Sequence, residues 1–151
     1  MSNKVFKNKI NPLKSILFVC DLNSIRSPIA EAILKVWFNK KIFIDSCGIR
    51  PGKIDPLAIE VMAELDFDLS NHTSKLMSQL EDSYFDLIIT FSKDAYNASI
   101  MLTKTISCEV EIFDVPDASK TVGNREQRLL SYRIVRDIII TKLKKRFKDY
   151  L

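Results

Sequence analysis

The stretch SILFVCDLNSIRSPIAE, residues 15–31, constrains the fold of this chain more than any other part of it. Residues 16–19 are apolar and partly β-branched, the pattern of a buried strand. Ser27 is a favoured N-cap and Pro28 suits the first helical position, so the spacing predicts a helix over residues 27–39. The residues from Cys20 to Arg26 then form a tight strand-to-helix loop. In such a loop the successive backbone N–H groups of Asp21, Leu22, Asn23, Ser24, Ile25 and Arg26 turn inward and cradle a tetrahedral anion, aided by the positive end of the helix dipole. The same field favours the thiolate of Cys20, which is the nucleophilic form. Arg26 can grip two oxygens of the anion through its planar fork. Nucleophile, cradle and clamp are thus confined to one short loop.

The remainder of the chain alternates strand and helix. Strands are predicted over residues 16–19, 42–46, 85–90 and 110–113. The third is apolar on both faces and so belongs in the middle of a sheet. Helices are predicted over residues 27–39, 56–65, 93–102 and 125–147, with a short further helix marked by Leu76, Met77 and Leu80. The last helix carries Leu129, Val135, Ile138, Ile139 and Leu143 on its inner face, and its basic C-terminal cluster complements the dipole. This alternation predicts an α/β fold, a doubly wound, four-stranded parallel sheet in a three-layer α/β/α sandwich with about five helices. Residues 1–13 are polar, basic and broken by Pro12, which predicts a flexible arm before a single domain over residues 14–151.

Composition narrows the partners. The chain has 151 residues, 46% of them hydrophobic and only three of them glycine, enough to build one packed core. No apolar run is long enough for a signal peptide or a membrane span, and no membrane partner is expected. Three cysteines without metal-type spacing predict reduced thiols in a cytoplasm. The net charge of +4 gives little ground for a nucleic-acid partner. No metal and no organic cofactor are expected, and nothing in the sequence sets an oligomeric state.

Ligands of a doubly wound sheet bind beyond the carboxyl ends of its strands. The loop after the first strand brings Cys20 to Ser27 there. The loop after the second brings Ser46, Cys47 and Arg50, and the loop after the fourth brings Asp114 and Asp117. Cys108 precedes the fourth strand and falls at the opposite end. Thiolate attack on a phosphate ester requires a proton for the leaving oxygen and then a base for the attacking water, and a carboxyl group in a neighbouring loop can supply both.

At these residues the chain resembles the low-molecular-weight protein tyrosine phosphatase family, whose superfamily includes the thioredoxin-linked arsenate reductases. The likeness rests on CDLNSIRSPIAEA from Cys20, and continues through IDSCGI from Ile44, LSNHTSKLM from Leu69, FDLIITFS from Phe85 and FDVPDAS from Phe113. It implies Cys20 as nucleophile and Arg26 as the phosphate clamp. The family's acid lies in an Asp-Pro pair after the fourth strand; here Asp117 follows Pro116 and is the favoured match, with Asp114 the alternative. Asn23, Ser27, Ser46 and His72 match positions of a hydrogen-bond network that supports the loop, which makes His72 a supporting residue rather than a base.

The departures from the family pattern discriminate among functions. Ile25 stands where many members carry a second cysteine, Leu22 stands where they carry glycine, and Asp21 places a charge beside Cys20. A left-handed backbone at Leu22 would be strained. Ala118, Ser119 and Lys120 replace the aromatic pair that walls a phosphotyrosine ring. An arsenate reductase passes oxidation along two further cysteines, and residues 90–100 contain none; Cys47 is left as a single resolving candidate. The expected function, as the resemblance implies, is a cysteine-dependent phosphomonoester hydrolase of the protein tyrosine phosphatase type, which works through a cysteinyl-phosphate intermediate and binds phosphate or a phosphorylated substrate. A non-catalytic phosphate-binding protein and an arsenate reductase are the alternatives.

Overall fold

The computed structural model describes residues 13–81 and 84–151. Along them run β1 (Ser15–Cys20), α1 (Arg26–Phe38), β2 (Phe43–Gly48), α2 (Pro56–Ala63), β3 (Leu87–Thr90), α3 (Lys93–Leu102), β4 (Glu109–Ile112) and α4 (Arg125–Arg146). Two single-turn 3-10 helices, Met77–Gln79 and Ala118–Lys120, lie in the connections. The strands pair in the order β2-β1-β3-β4, all parallel. The predicted doubly wound, four-stranded α/β domain is therefore the observed one.

Side-chain alternation along β1 divides the interior. Ile16, Phe18 and Cys20 face the larger core, built with α1, α2 and α4. Leu17 and Val19 face the smaller one, closed by Ala95 and Leu102 of α3. Three helices thus cover one face of the sheet and α3 the other. The chain winds outward in both directions from β1 and β3, so the crevice between their carboxyl ends is the topological switch point. Cys20 ends β1 at this crevice. No helix among the described residues is long and apolar enough to cross a membrane.

Several boundaries differ from the sequence expectation. Strand β2 runs on to Gly48 because Cys47 pairs with Val19 and Gly48 with Cys20. Ser46 and Cys47 are therefore inside the strand, not in the loop after it. Strand β3 begins at Leu87, two residues later than expected, and just before it the Asp86 carboxylate accepts the N–H groups of Lys14 at 2.8 Å and Ser15 at 3.2 Å. The helix expected near Leu76 is a single 3-10 turn, in which the Gln79 side chain folds back to accept the Leu76 N–H at 2.8 Å. The expected arm lies outside the described residues except for Leu13, which packs against the larger core.

Helix α4 starts at a reciprocal cap between Asn124 and Gln127. Two of its buried polar residues tie it to α2. Arg136 donates to the Val61 carbonyl and to Glu64, both at 2.8 Å, and the Tyr132 hydroxyl donates to Asp55 at 2.6 Å. Asp55 also caps α2 through the Leu57 N–H. This brace holds the connection from β2 to α2 against the loop that follows Cys20.

Candidate active site

Helix α1 begins at Arg26, two residues earlier than a helix capped by Ser27 and opened by Pro28. Its N-cap is Ile25, which offers no side-chain acceptor. Ser27 is therefore not the N-cap, and Pro28 is the third helical residue, still within the turn that needs no N–H. The shift has a chemical result. A capping hydroxyl would be spent on the helix, whereas the Ser27 hydroxyl lies 2.8 Å from Cys20 Sγ. Among the described residues, the N–H groups of residues 22–27 donate to no backbone carbonyl, which leaves them for an anion.

The polarity of the Ser27 hydroxyl follows from its neighbours. Asn23 adopts a left-handed backbone at φ 54° and is wholly buried. Its Oδ1 accepts the Lys75 backbone N–H at 3.1 Å, so its amide nitrogen must be the group that donates to Ser27 at 2.8 Å and to Ser46 at 2.9 Å. A thiolate sulfur only accepts, so with Cys20 ionised the Ser27 hydroxyl is the donor. Ser46 correspondingly donates to Glu31, a buried carboxylate that also meets Lys35 at 2.5 Å. His72 closes the outer end. Its Nε2 lies 3.0 Å from Asn23 Oδ1 and must carry the proton, since that oxygen only accepts. Burial lowers the His72 pKa, opposed by Glu31 and assisted by Lys35 and Lys75. The imidazole is thus neutral, with Nδ1 bare and 3.8 Å from Glu31. His72, Asn23 and Ser27 form one directed run of donors ending on Cys20.

Arg26 lies at the switch point. Its NH1 donates to the carbonyls of Phe91 at 2.7 Å and Val115 at 3.2 Å, beyond the ends of β3 and β4. This fixes the guanidinium plane across the crevice. Its NH2 faces Asp21 Oδ2 at 3.8 Å. The Asp21 carboxylate also accepts from the Ser92 hydroxyl at 2.6 Å and lies 3.8 Å from Arg50 NH1. Arg50 in turn pairs with Asp94 at 2.9 Å on the rim.

The back of the loop is supported by close backbone packing. The Ser24 hydroxyl donates to the Lys53 carbonyl at 2.6 Å, and the Ser74 hydroxyl to the Asn23 carbonyl at 2.6 Å. A Cβ on Gly48 would lie 2.8 Å from Asn23 N, and one on Gly52 2.5 Å from the Leu22 carbonyl oxygen. Both glycines are there to let two backbones touch. Leu22 itself is not among the residues with positive φ, so it occupies its position without the anticipated strain.

The two acid candidates stand apart from this network. Asp114 is exposed, and Asp117 is half-buried. Asp117 Oδ1 accepts the Ser119 N–H at 3.0 Å and the Ser119 hydroxyl at 2.6 Å, which caps the Ala118–Lys120 turn. Its loop reaches the site through the Val115 carbonyl on Arg26. Cys47 is buried in the smaller core, on the face of the sheet opposite to Cys20, and burial pushes its thiol up to about 12. Cys108 lies before β4, with its thiol raised by burial to about 11. Among the described residues no group of three or more His, Cys, Asp or Glu side chains is arranged to hold a metal ion.

The sequence reading missed Glu31, Ser74 and Ser92. Glu31 had a signal, because it lies four residues after Ser27 and therefore on the same helical face. Ser74 and Ser92 reach the loop only through tertiary contacts.

A family model described as low molecular weight phosphotyrosine protein phosphatase matches residues 15–147. An arsenate reductase of Staphylococcus aureus (strain N315) is 38% identical over 103 residues, which cover 68% of this chain and 79% of that protein. A solved arsenate reductase in the phosphate binding state superposes with a TM-score of 0.75 at 26% identity, over 91% of this chain and 98% of that one. A tyrosine phosphatase of Erwinia amylovora superposes with a TM-score of 0.68 at 22% identity, over 88% of this chain and 93% of that one. The likeness to the phosphatase concerns the fold.

Proposed function

The chain belongs to the low molecular weight phosphotyrosine protein phosphatase family, and from that premise we propose that it is a cysteine-dependent phosphomonoester hydrolase. The observation that carries this reading is the run of hydrogen bonds that ends with the Ser27 hydroxyl 2.8 Å from Cys20 Sγ. A hydroxyl so directed stabilises a thiolate.

In the proposed reaction the phosphoryl group occupies the cradle of residues 21–26, with Arg26 on its oxygens. The Cys20 thiolate attacks phosphorus, the P–O bond to the leaving group breaks, and Asp117 gives its proton to the departing oxygen. The carboxylate of Asp117 then takes a proton from water. That water attacks the cysteinyl-phosphate, breaks the S–P bond and regenerates the thiolate with release of inorganic phosphate. To act in this way Asp117 turns its carboxyl group from Ser119 into the mouth. The catalytic unit is residues 14–151, working where thiols stay reduced.

Arsenate reduction is the second reading, favoured by the name of the Staphylococcus aureus relative. Two features speak for hydrolysis instead. Cys47 faces the other side of the sheet from Cys20, and strand pairing holds both backbones. Cys108 stands before β4, at the amino end of a strand in the parallel sheet that ends β1 with Cys20. An intramolecular disulfide with Cys20 therefore demands rebuilding of the sheet.

Steady-state hydrolysis of a small aryl phosphate by the wild type and by Cys20→Ser tests the proposal. Turnover by the wild type alone supports it. Arsenate-dependent oxidation of an added dithiol, with no phosphate release from the ester, would establish the second reading in its place.

A further inference from the structure

The proposed chemistry leaves unused a charged group that lies directly beside the nucleophile. Asp21 follows Cys20 directly, and its carboxylate is surrounded as a bound oxyanion would be. Arg26 NH2 is 3.8 Å away, Arg50 NH1 is 3.8 Å away, and the Ser92 hydroxyl donates at 2.6 Å. The other terminal nitrogen of Arg26 is already taken by the Phe91 and Val115 carbonyls. The side of the guanidinium nearest Asp21 is thus a side that a substrate anion must also use.

We propose that Asp21 is a specificity-determining residue that makes the cradle discriminate against doubly charged oxyanions in favour of singly charged ones. This inference rests on residues 21–26 being an anion cradle beside Cys20. The groups that face Asp21 are Cys20 and Arg26 from β1 and α1, Arg50 from the loop after β2, and Ser92 at the start of α3. Asp94, also on α3, holds Arg50 from its other side.

Coulomb repulsion is proportional to the charge on the incoming anion. A dianion therefore meets twice the penalty of a monoanion at the same place. Arg50 and Ser92 meet Asp21 Oδ1, whereas Arg26 faces Oδ2, so they offset only part of the Asp21 charge. The carboxylate is also tethered by Ser92, so it does not simply swing into solvent. It stays beside the anion.

Binding of inorganic phosphate reads this directly. The competing arrangement, in which Asp21 serves to orient Arg26, has the opposite sign. Asp21→Asn keeps the shape and the Ser92 contact but removes the charge, and Asp21→Ser removes both. We expect either variant to bind phosphate about tenfold more tightly than wild type at about pH 8, where the dianion prevails. At about pH 5.5, where the monoanion prevails, half the charge halves the logarithm, and the gain shrinks to about threefold. Affinity is measured by calorimetry and by protection of Cys20 from alkylation. If wild type and both variants bind phosphate alike at both pH values, or if the variants bind more weakly, Asp21 has no such role and the cradle stands. Failure of phosphate to bind or to protect Cys20 in every protein overturns the cradle itself, and this inference with it.

Discussion

The loop that follows β1 and the loop that follows β4 meet at Arg26, yet they are built by opposite means. Around Cys20, Asn23 and Ser27 are fully buried, and their polar side-chain atoms are engaged in one network that reaches Ser46, Glu31 and His72. Around Asp117 the chain is anchored by the apolar side chains of Phe113, Val115 and Ala118, while the carboxyl group caps only its own next turn. The difference matches the two proposed tasks. A thiolate at the end of a buried strand requires fixed donors, because in a low-dielectric site an unsatisfied charge is costly. A group that gives a proton to one molecule and takes one from another must meet solvent and must move.

Arg26 joins the two loops, and its replacement carries the largest expected effect. An ammonium in Arg26→Lys cannot hold the Phe91 and Val115 carbonyls and two phosphoryl oxygens at once. We expect kcat/KM on an aryl phosphate to fall by about 10²- to 10³-fold. Equal values for the two proteins would show that the clamp lies elsewhere.

The next test separates the acids. Asp117→Asn should lower kcat by about 10²-fold or more on an ester with a poor leaving group. The loss should shrink when the leaving group is already a stable anion, since its protonation then matters less. Asp114→Asn should change little. A reversal of the two would assign the proton transfer to Asp114 and leave Asp117 as the cap of its turn.

Ser27→Ala tests the rigid side of the comparison. The variant removes the proton aimed at Cys20 Sγ and leaves the Asn23 amide without one of its acceptors. We expect about a tenfold slower alkylation of Cys20 at neutral pH, from loss of one charge-assisted hydrogen bond. An unchanged rate across the pH range would mean that the hydroxyl acts only in packing.

The two loops were also unequally legible in sequence. The apolar run before Cys20 and the helix after Arg26 are local signals, and they place the nucleophile at a strand end without reference to the remainder of the chain. The helix start was legible only to within two residues, and that shift decides whether Ser27 caps the helix or faces the sulfur. Glu31 shares a helical face with Ser27, a local signal, but its role as a buried acceptor depends on the position of Ser46 on β2. Near Asp117, Pro116 and Ser119 signal a turn, but the distance of that turn from Cys20 is set by the packing of Val115 and Ala118, which no local pattern encodes. The opposite orientation of Cys20 and Cys47 followed from the register of β1 on β2 and not from spacing along the chain.

The smallest expected effect concerns His72, where the network meets the surface. Its Nε2 proton is held by Asn23 Oδ1, and burial lowers its pKa in the folded protein from the ordinary 6.5. In the unfolded chain the imidazole binds a proton more readily than in the folded one. The unfolded state therefore holds more protons just below the ordinary histidine range, and stability contributed by neutral His72 is lost as pH falls through about 6.5. His72→Gln places an amide N–H near the position of Nε2 but cannot titrate. We expect its activity to stay within about threefold of wild type, since the donor to Asn23 survives and no proton transfer is assigned to His72. Its melting temperature should decline less than that of the wild type between about pH 7 and about pH 5. Parallel melting curves over that range would show that the imidazole is not held neutral. A large loss of activity with intact folding would instead move His72 from the supporting network into the chemistry and erase the contrast between a fixed loop and a proton-exchanging one.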